Sequence, residues 1–171
     1  SGRATSLTKT QIEKVIESDD FEPYVIELSL EQVMQKPSEE LVDRIAQNLN
    51  KYKMVIIHSS SIENDPEKNV EYAQQHNINP EQIPSFITDY LASLTKEVIE
   101  KQEVILVLVG GETSYKCCNA INSRHLQLID EVEPAIPLCL DHKAQWIVTK
   151  SGNLGNPVTI VNILKYFERH K

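Results

Sequence analysis

The segment VILVLVGGETSYKCCNAIN, residues 104–122, constrains the fold more than any other part of the chain. Its first six residues are apolar and branched, which predicts a buried strand, and two glycines follow directly. The residues after the glycines predict a helix over 113–121. A strand that runs through a short turn into a helix is typical of α/β folds, in which ligands bind at the carboxyl ends of strands. Taken alone, Gly110-Gly111 is also compatible with a plain tight turn.

Helical and strand patterns alternate along the rest of the chain. Thr8 and Gln11 form a capping-box pattern, which predicts a helix over 8–18. Ser38 is placed to cap the next amphipathic helix. The remaining helices are predicted over 67–76, 81–102, 113–121 and 157–169, and the strands over 24–28, 53–58, 104–109, 125–130, 135–140 and 144–150.

The last three strand segments follow one another closely. They are separated by EVEP and DHK, which are too short for crossover helices, so antiparallel pairing is predicted for at least some of them. The polar segment 59–79 holds at most one short helix, near 67–76, and is either a surface excursion or a lid. We therefore predict a layered α/β fold with a mixed, largely parallel sheet flanked by helices and a short antiparallel portion near 125–150.

Charge and composition exclude several classes of partner. The formal net charge of −8 disfavours nucleic acid, which is bound mainly through Lys and Arg, but not a nucleotide held by backbone amides and a metal ion. The longest unbroken apolar run has six residues, whereas a membrane-spanning helix needs about 20. An odd set of three cysteines is typical of a reducing compartment. The expectation is a cytoplasmic protein that binds neither nucleic acid nor membrane.

Two loops share the same arrangement of strand end, glycine-containing turn and helix start. The first is VGGET, residues 109–113, and the second is KSGNLGNP, residues 150–157. Glycine allows positive φ and close approach of a ligand, and a helix N-terminus offers unpaired N–H groups to a phosphate. Two such loops at one sheet edge would form a two-sided cradle. Neither loop matches the G-x-G-x-x-G or G-x-x-x-x-G-K-[ST] fingerprint.

Three motifs in order resemble those of the nucleotide-binding C-terminal domain of the four-carbon acid sugar kinases. These enzymes are ATP-dependent and act on threonate- and erythronate-type acids. Their front motif reads Gly-Ser-x-Ser-x-x-Thr-x-x-Gln-Ile, their central motif Gly-Gly-Asp/Glu-Thr and their late motif Lys-Ser-Gly-Asn-Phe-Gly. The corresponding segments here are GRATSLTKTQI, GGETS and KSGNLG, at residues 2–12, 110–114 and 150–155. The resemblance covers essentially the whole chain, and three ordered motifs are far more specific than one.

The resemblance implies which residues contact ATP. From the central loop these are Gly110, Gly111, Glu112 and Thr113, and from the second loop Ser151, Gly152, Asn153 and Gly155. Thr5, with Ser6 beside it, would supply a hydroxyl near the nucleotide. Because phosphoryl transfer needs neutralisation of charge at the γ-phosphate, Lys150 is a candidate cation.

The chain departs from the family motifs at three positions, and Glu112 adds a negative charge to the central loop. Arg3 and Thr5 stand where the family usually has serines, and Leu154 replaces the usual Phe. Glu112 would repel phosphates unless Mg²⁺ intervenes or its carboxylate faces the ribose hydroxyls, and both assignments stay open.

The resemblance also implies a longer protein, because family members carry the acid-sugar site in an N-terminal domain. We predict that residues 1–171 form a single nucleotide-binding domain, the C-terminal half of a two-domain carbohydrate-acid kinase. ATP and Mg²⁺ are the expected cofactors, and the acid sugar would bind through the missing N-terminal domain. The catalytic base is unassigned, no metal ligand is predicted, and a homo-oligomer is left open. The isolated chain is expected to have no kinase activity.

Two other functions stay open at this point. One is a non-catalytic α/β module that uses the same loops to bind a small molecule or an anion. The other is a purely structural partner domain. The ordered triplet of motifs favours the kinase over both.

Overall fold

The computed structural model describes residues 5–18, 20–64 and 66–170. The helices are α1 (Ser6–Ile16), α2 (Leu30–Val33), α3 (Glu39–Leu49), α4 (Ser60–Asn64), α5 (Pro66–Gln75), α6 (Ile83–Lys101), α7 (Gly111–Ala120) and α8 (Thr159–Arg169), with a short 3₁₀ turn at Pro80–Gln82. The strands are β1 (Tyr24–Glu27), β2 (Val55–His58), β3 (Leu106–Val109), β4 (Leu126–Glu133), β5 (Ile136–Asp141) and β6 (Trp146–Lys150).

The described strands form two sheets. β1 and β2 make a parallel pair, and the other four strands lie in the order β3-β6-β5-β4. In the larger sheet β3 and β6 are parallel, whereas β5 is antiparallel to both of its neighbours. The predicted α/β class is confirmed, with a mixed sheet whose antiparallel portion lies near 125–150. The division into two sheets depends on long-range packing that local patterns do not encode.

Helices cover both faces of the larger sheet at β6. Ile147 packs with buried residues of α6 and α7, whereas Val148 packs with Ile163 of α8. Because successive strand residues point to opposite faces, Thr149 lies on the α7 side and Lys150 on the α8 side. The last two residues of β6 therefore lie on opposite faces of the sheet, in different environments.

The register of β3 and β6 positions the two glycine loops. Val109 is the Cα partner of Lys150, so both strands end at the same level of the same edge. The two glycine loops begin at this pair of residues. The carboxyl ends of two adjacent parallel strands are the usual place for a ligand in an α/β sheet.

The polar segment 59–79 differs from its prediction. It contains two helices, α4 and α5, so the expectation of at most one short helix is wrong. Ile62 of α4 and Ala73 of α5 are both buried in the core that also holds Ile26 of β1. Such isolated apolar anchors in a polar segment give no periodic signal.

Helix boundaries shift at the two loops. α7 begins at Gly111, two residues before the predicted start, and α8 begins at Thr159, two residues after it. At α8 the side chain of Asn156 accepts a hydrogen bond from the N–H of Val158 at 2.9 Å, which holds this segment in a turn. In the described part of the chain, no helix has both the length and the apolarity that a membrane crossing requires.

Candidate functional site

The central loop turns sharply at Gly110. This residue has φ +102°, a left-handed value that favours glycine. Its N–H donates to the carbonyl of Lys150 at 2.7 Å, and its own carbonyl accepts from the backbone N–H and the hydroxyl of Ser114 at 2.9 and 2.8 Å. These bonds place the N-terminus of α7 at the carboxyl end of β3. The first turn of a helix leaves backbone N–H groups without an intrahelical partner, which suits an anion.

Gly111 leaves open space in front of this helix end. The residue is exposed, and a Cβ built on it has no heavy atom within 4 Å outside its immediate neighbours. A ligand can therefore approach the backbone closely at this point. Glu112 beside it is exposed, whereas Thr113 is buried.

The carbonyl of Gly152 anchors the second loop to α1. It accepts hydrogen bonds from the hydroxyls of Thr5 and Thr8 at 2.8 and 3.0 Å. Gly152 is buried, whereas Asn153 and Gly155 are exposed. The front and late motifs are thus in direct contact, although they lie at opposite ends of the sequence.

The carbonyl of Ser151 is held in a similar way. It accepts from Lys150 Nζ at 2.8 Å and from the N–H of Leu154 at 3.1 Å. In a trans peptide the C=O and N–H groups point in opposite directions, and no described peptide bond is cis. Because the carbonyls of Ser151 and Gly152 point at their donors, the N–H groups of Gly152 and Asn153 point away from them. The loop therefore presents two adjacent backbone N–H donors on the side opposite to Lys150 Nζ and α1.

Lys150 lies beneath this loop. The side chain is 2 % exposed, and its ammonium donates to the carbonyls of Ser151 and Gly152 at 2.8 and 3.5 Å. Burial lowers the pKa of this amine. Its assignment as the cation at the γ-phosphate stays a prediction, because in this arrangement the ammonium supports the loop from within.

The buried ammonium has a consequence for stability at alkaline pH. Because the pKa of Lys150 in the folded chain is below its ordinary 10.5, the unfolded chain binds more protons between these two values. The cost of burying the charge is present at neutral pH and is relieved as the pH rises through this window. The wild type should therefore gain stability relative to Lys150→Met as the pH rises from neutral towards 10.5.

Urea unfolding of both proteins over this pH range measures the difference between their free energies of unfolding. The contributions of cysteine and tyrosine titration cancel in this difference because both proteins share these residues. A difference that stays constant over the window would mean that Lys150 is not buried as a cation.

The residues of the front motif have other roles in the structure than the sequence predicts. Thr5, not Thr8, is the N-cap of α1, and its hydroxyl accepts from the N–H of Thr8 at 3.2 Å. Gln11 is fully buried and donates from Nε2 to the carbonyl of Asn156 at 2.7 Å. The predicted capping box at Thr8 and Gln11 is therefore wrong. A signal was available, because residues three positions apart share one helix face, and Thr5, Thr8 and Gln11 all contact the second loop.

Glu112 faces α6 rather than the second loop. Its Oε1 accepts from the hydroxyl of Thr88 at 3.4 Å and lies 3.6 Å from Lys116 Nζ. The same ammonium is 2.7 Å from Asp89 Oδ1. Two carboxylates therefore share one cation beside the first turn of α7, which reduces the negative charge near the helix N-terminus.

No group of three His, Cys, Asp or Glu residues that could hold a metal ion occurs within the described ranges. A Mg²⁺ ion that entered with phosphates would take most of its ligands from phosphate oxygens and water. The carboxylate of Glu112 would be a candidate for one further ligand.

The structure brings the ten predicted site residues to one edge of the larger sheet. Gly110 is bonded to Lys150, and Thr5 is bonded to Gly152, so all three motifs are joined. The arrangement defines an α/β protein whose two glycine loops and α1 meet at one edge of the larger sheet. A family model described as the nucleotide-binding C-terminal domain matches residues 1–160, and the chain belongs to this family. A search of curated proteins finds no match.

Solved structures share the fold. A Haemophilus influenzae protein of the DUF1537 family has a TM-score of 0.69 and 19% identity over 98% of this chain and 38% of its own. A protein from Salmonella typhimurium LT2, which carries the provisional description tRNA synthase, has a TM-score of 0.67 and 15% identity over 99% of this chain and 41% of its own. A DUF1537 protein from Bordetella bronchiseptica, a domain-swapped dimer with bound citrate, has a TM-score of 0.64 and 14% identity over 94% of this chain and 36% of its own.

The chain therefore spans about two fifths of the length of the solved proteins that it matches. At these identities the likeness establishes the fold alone.

Proposed function

We propose that this chain is the ATP-binding part of a kinase that phosphorylates a four-carbon acid sugar of the threonate or erythronate type. The observation that carries the proposal is the junction of the three motifs at the ends of β3 and β6. Membership of the nucleotide-binding family supports it. The assignment of an acid-sugar substrate rests on the order and the residues of the three motifs.

The two loops have complementary tasks in this proposal. The open N-terminus of α7 at Gly111 receives phosphate oxygens, and the outward N–H groups of Gly152 and Asn153 receive them from the other side. Phosphoryl transfer demands positioning and electrostatic stabilisation, with little covalent chemistry from the protein. Mg²⁺, bound with the nucleotide, would supply the remaining neutralisation of phosphate charge. The residues fit this use because rigid backbone donors need no reorganisation when the ligand binds.

The acid sugar and the base that activates its hydroxyl belong to another part of the protein in this proposal. Relatives of the same fold are longer than the chain by more than a factor of two. We therefore expect these 171 residues alone to bind nucleotide without turning over threonate or erythronate. Phosphorylation of either acid by the isolated chain would contradict this division of tasks.

The test is thermal unfolding of the chain with Mg-ATP, Mg-ADP, inorganic tripolyphosphate and citrate. Mg-ATP at about 100 times its dissociation constant should add about 2.7 kcal/mol to the free energy of unfolding. No shift with any nucleotide at millimolar concentration would contradict the proposal. An equal shift with citrate would instead favour the non-catalytic anion-binding module.

A further inference from the structure

A cavity of about 320 Å³ lies between α7 and the start of β4, next to the proposed phosphate site. Its floor includes Thr149, on the α7 side of β6. Ser114, in the first turn of α7, lies at its border and is bonded to the carbonyl of Gly110. Ser114 therefore links the cavity to the central glycine loop. Its other lining residues are Tyr115, Cys118, Asn119, Ser123, Arg124 and Leu126.

Several side chains of this cavity make no interaction that would explain their position. Tyr115 is 68% exposed. In the described part of the chain, no hydrogen bond or ion pair engages the side chains of Tyr115, Asn119 or Arg124. Ser123 is 4% exposed, and its hydroxyl has no hydrogen-bond partner of good geometry. The nearby carboxylate oxygen Asp141 Oδ2 also has none; against the effect of burial, the backbone N–H groups of Gln145 and Lys143 hold the pKa of Asp141 below its usual value.

The chemistry of the lining suits a flat, partly polar ring. Tyr115 and Leu126 are exposed apolar walls against which a base can stack. The amide of Asn119 presents a donor and an acceptor side by side, the pattern that matches the edge of adenine. The hydroxyl of Thr149, which also lines the cavity, can bond the ribose. A volume of about 320 Å³ is within the range of small-molecule sites.

The position of the cavity relative to the loops supports the same ligand. Gly111 and Asn119 lie on one helix, and eight residues of α-helix rise about 12 Å. An extended nucleotide can bridge this distance with its phosphates at the helix N-terminus. We infer that the cavity holds the adenine base and the ribose of the nucleotide whose phosphates lie at the glycine loops. This inference rests on the proposed function.

The test compares binding of Mg-ATP with binding of inorganic tripolyphosphate, which has phosphates but no base. Asn119→Ala and Tyr115→Ala should each weaken Mg-ATP binding about tenfold, as expected for the loss of a hydrogen-bonding or stacking partner. Their affinity for tripolyphosphate should equal that of the wild type, which also shows that both variants fold. Gln47→Ala, on the exposed side of the remote helix α3, is the control and should bind both ligands normally.

The outcomes separate this inference from the proposed function. If both variants bind Mg-ATP as tightly as the wild type, the cavity is not the base site, and the phosphate site stands. If the wild type binds tripolyphosphate as tightly as Mg-ATP, the inference is also overturned. If the wild type binds neither ligand, both proposals fall.

Photolabelling gives an independent measurement. After irradiation of the chain with 8-azido-ATP and digestion with trypsin, the label should appear on Tyr115 or in the peptide 117–124, which contains no loop residue. Label confined to any other position would contradict the inference.

Discussion

Replacement of Gly111 by Val should abolish the stabilisation by Mg-ATP without destabilising the free chain. A Cβ at this position meets no heavy atom within 4 Å beyond its chain neighbours and the backbone of its own helix, so the added side chain begins in open space. The isopropyl group fills the space through which phosphate is proposed to approach the helix N-terminus. The free energy of unfolding without ligand should change by no more than about 0.5 kcal/mol, as for other surface substitutions. Thermal unfolding with and without Mg-ATP measures both quantities.

Ser93→Val is the matched control, because it places the same side chain at an exposed position of α6. It should leave the shift produced by Mg-ATP intact. If Gly111→Val also retained the shift, the central loop would not be the phosphate site. The experiment therefore tests the site independently of the substrate and of the kinase reaction.

Gly155→Ala should lower the stability of the chain strongly, even without a ligand. Gly155 has φ +88°, and a Cβ on it would lie 2.3 Å from Thr159 Oγ1 and 2.9 Å from Thr159 Cβ. Thr159 is buried, and its hydroxyl accepts from the N–H of Asn156 at 2.9 Å, so it cannot move away without losing that bond. Backbone strain of about 1–2 kcal/mol and overpacking of about 1–3 kcal/mol together predict a loss of roughly 2–5 kcal/mol.

Urea unfolding measures this loss, and Gly111→Ala serves as the comparison. The second substitution adds the same methyl group to a glycine that has neither a positive φ nor a close neighbour. It should be neutral or slightly stabilising, because alanine restricts the unfolded chain more than glycine does. Equal stability of the two variants would mean that the second loop does not have the described conformation.

The parts of the site with local signals could be predicted from the sequence. The apolar run and the two glycines after it predict the transition from β3 to α7, because a strand end and a helix start each depend on neighbouring residues. The same holds for the glycine-rich loop before α8. The start of α8 is displaced by two residues because the side chain of Asn156 competes for a backbone group at the boundary.

The remainder depends on contacts between distant residues. The burial of Lys150 follows from the pairing of β6 with β3 and from the α1 residues that reach Gly152, and no local pattern shows either. A lysine after a strand looks like an exposed cation until its face of the sheet is known. Prediction of the cavity near Asn119 likewise requires the relative positions of α7 and β4, which are separated in the sequence by a turn.

The bonds from α1 to the second loop join residues that are 144 and 147 positions apart. Thr5 and Thr8 both hold the carbonyl of Gly152, whose peptide group also carries the outward N–H of Asn153. A displacement of the backbone at Thr5 would therefore rotate the donor that the nucleotide is proposed to use. A movement of α1 relative to the second loop would therefore change the affinity of the proposed nucleotide site, although α1 is proposed to give that site no direct contact beyond Thr5.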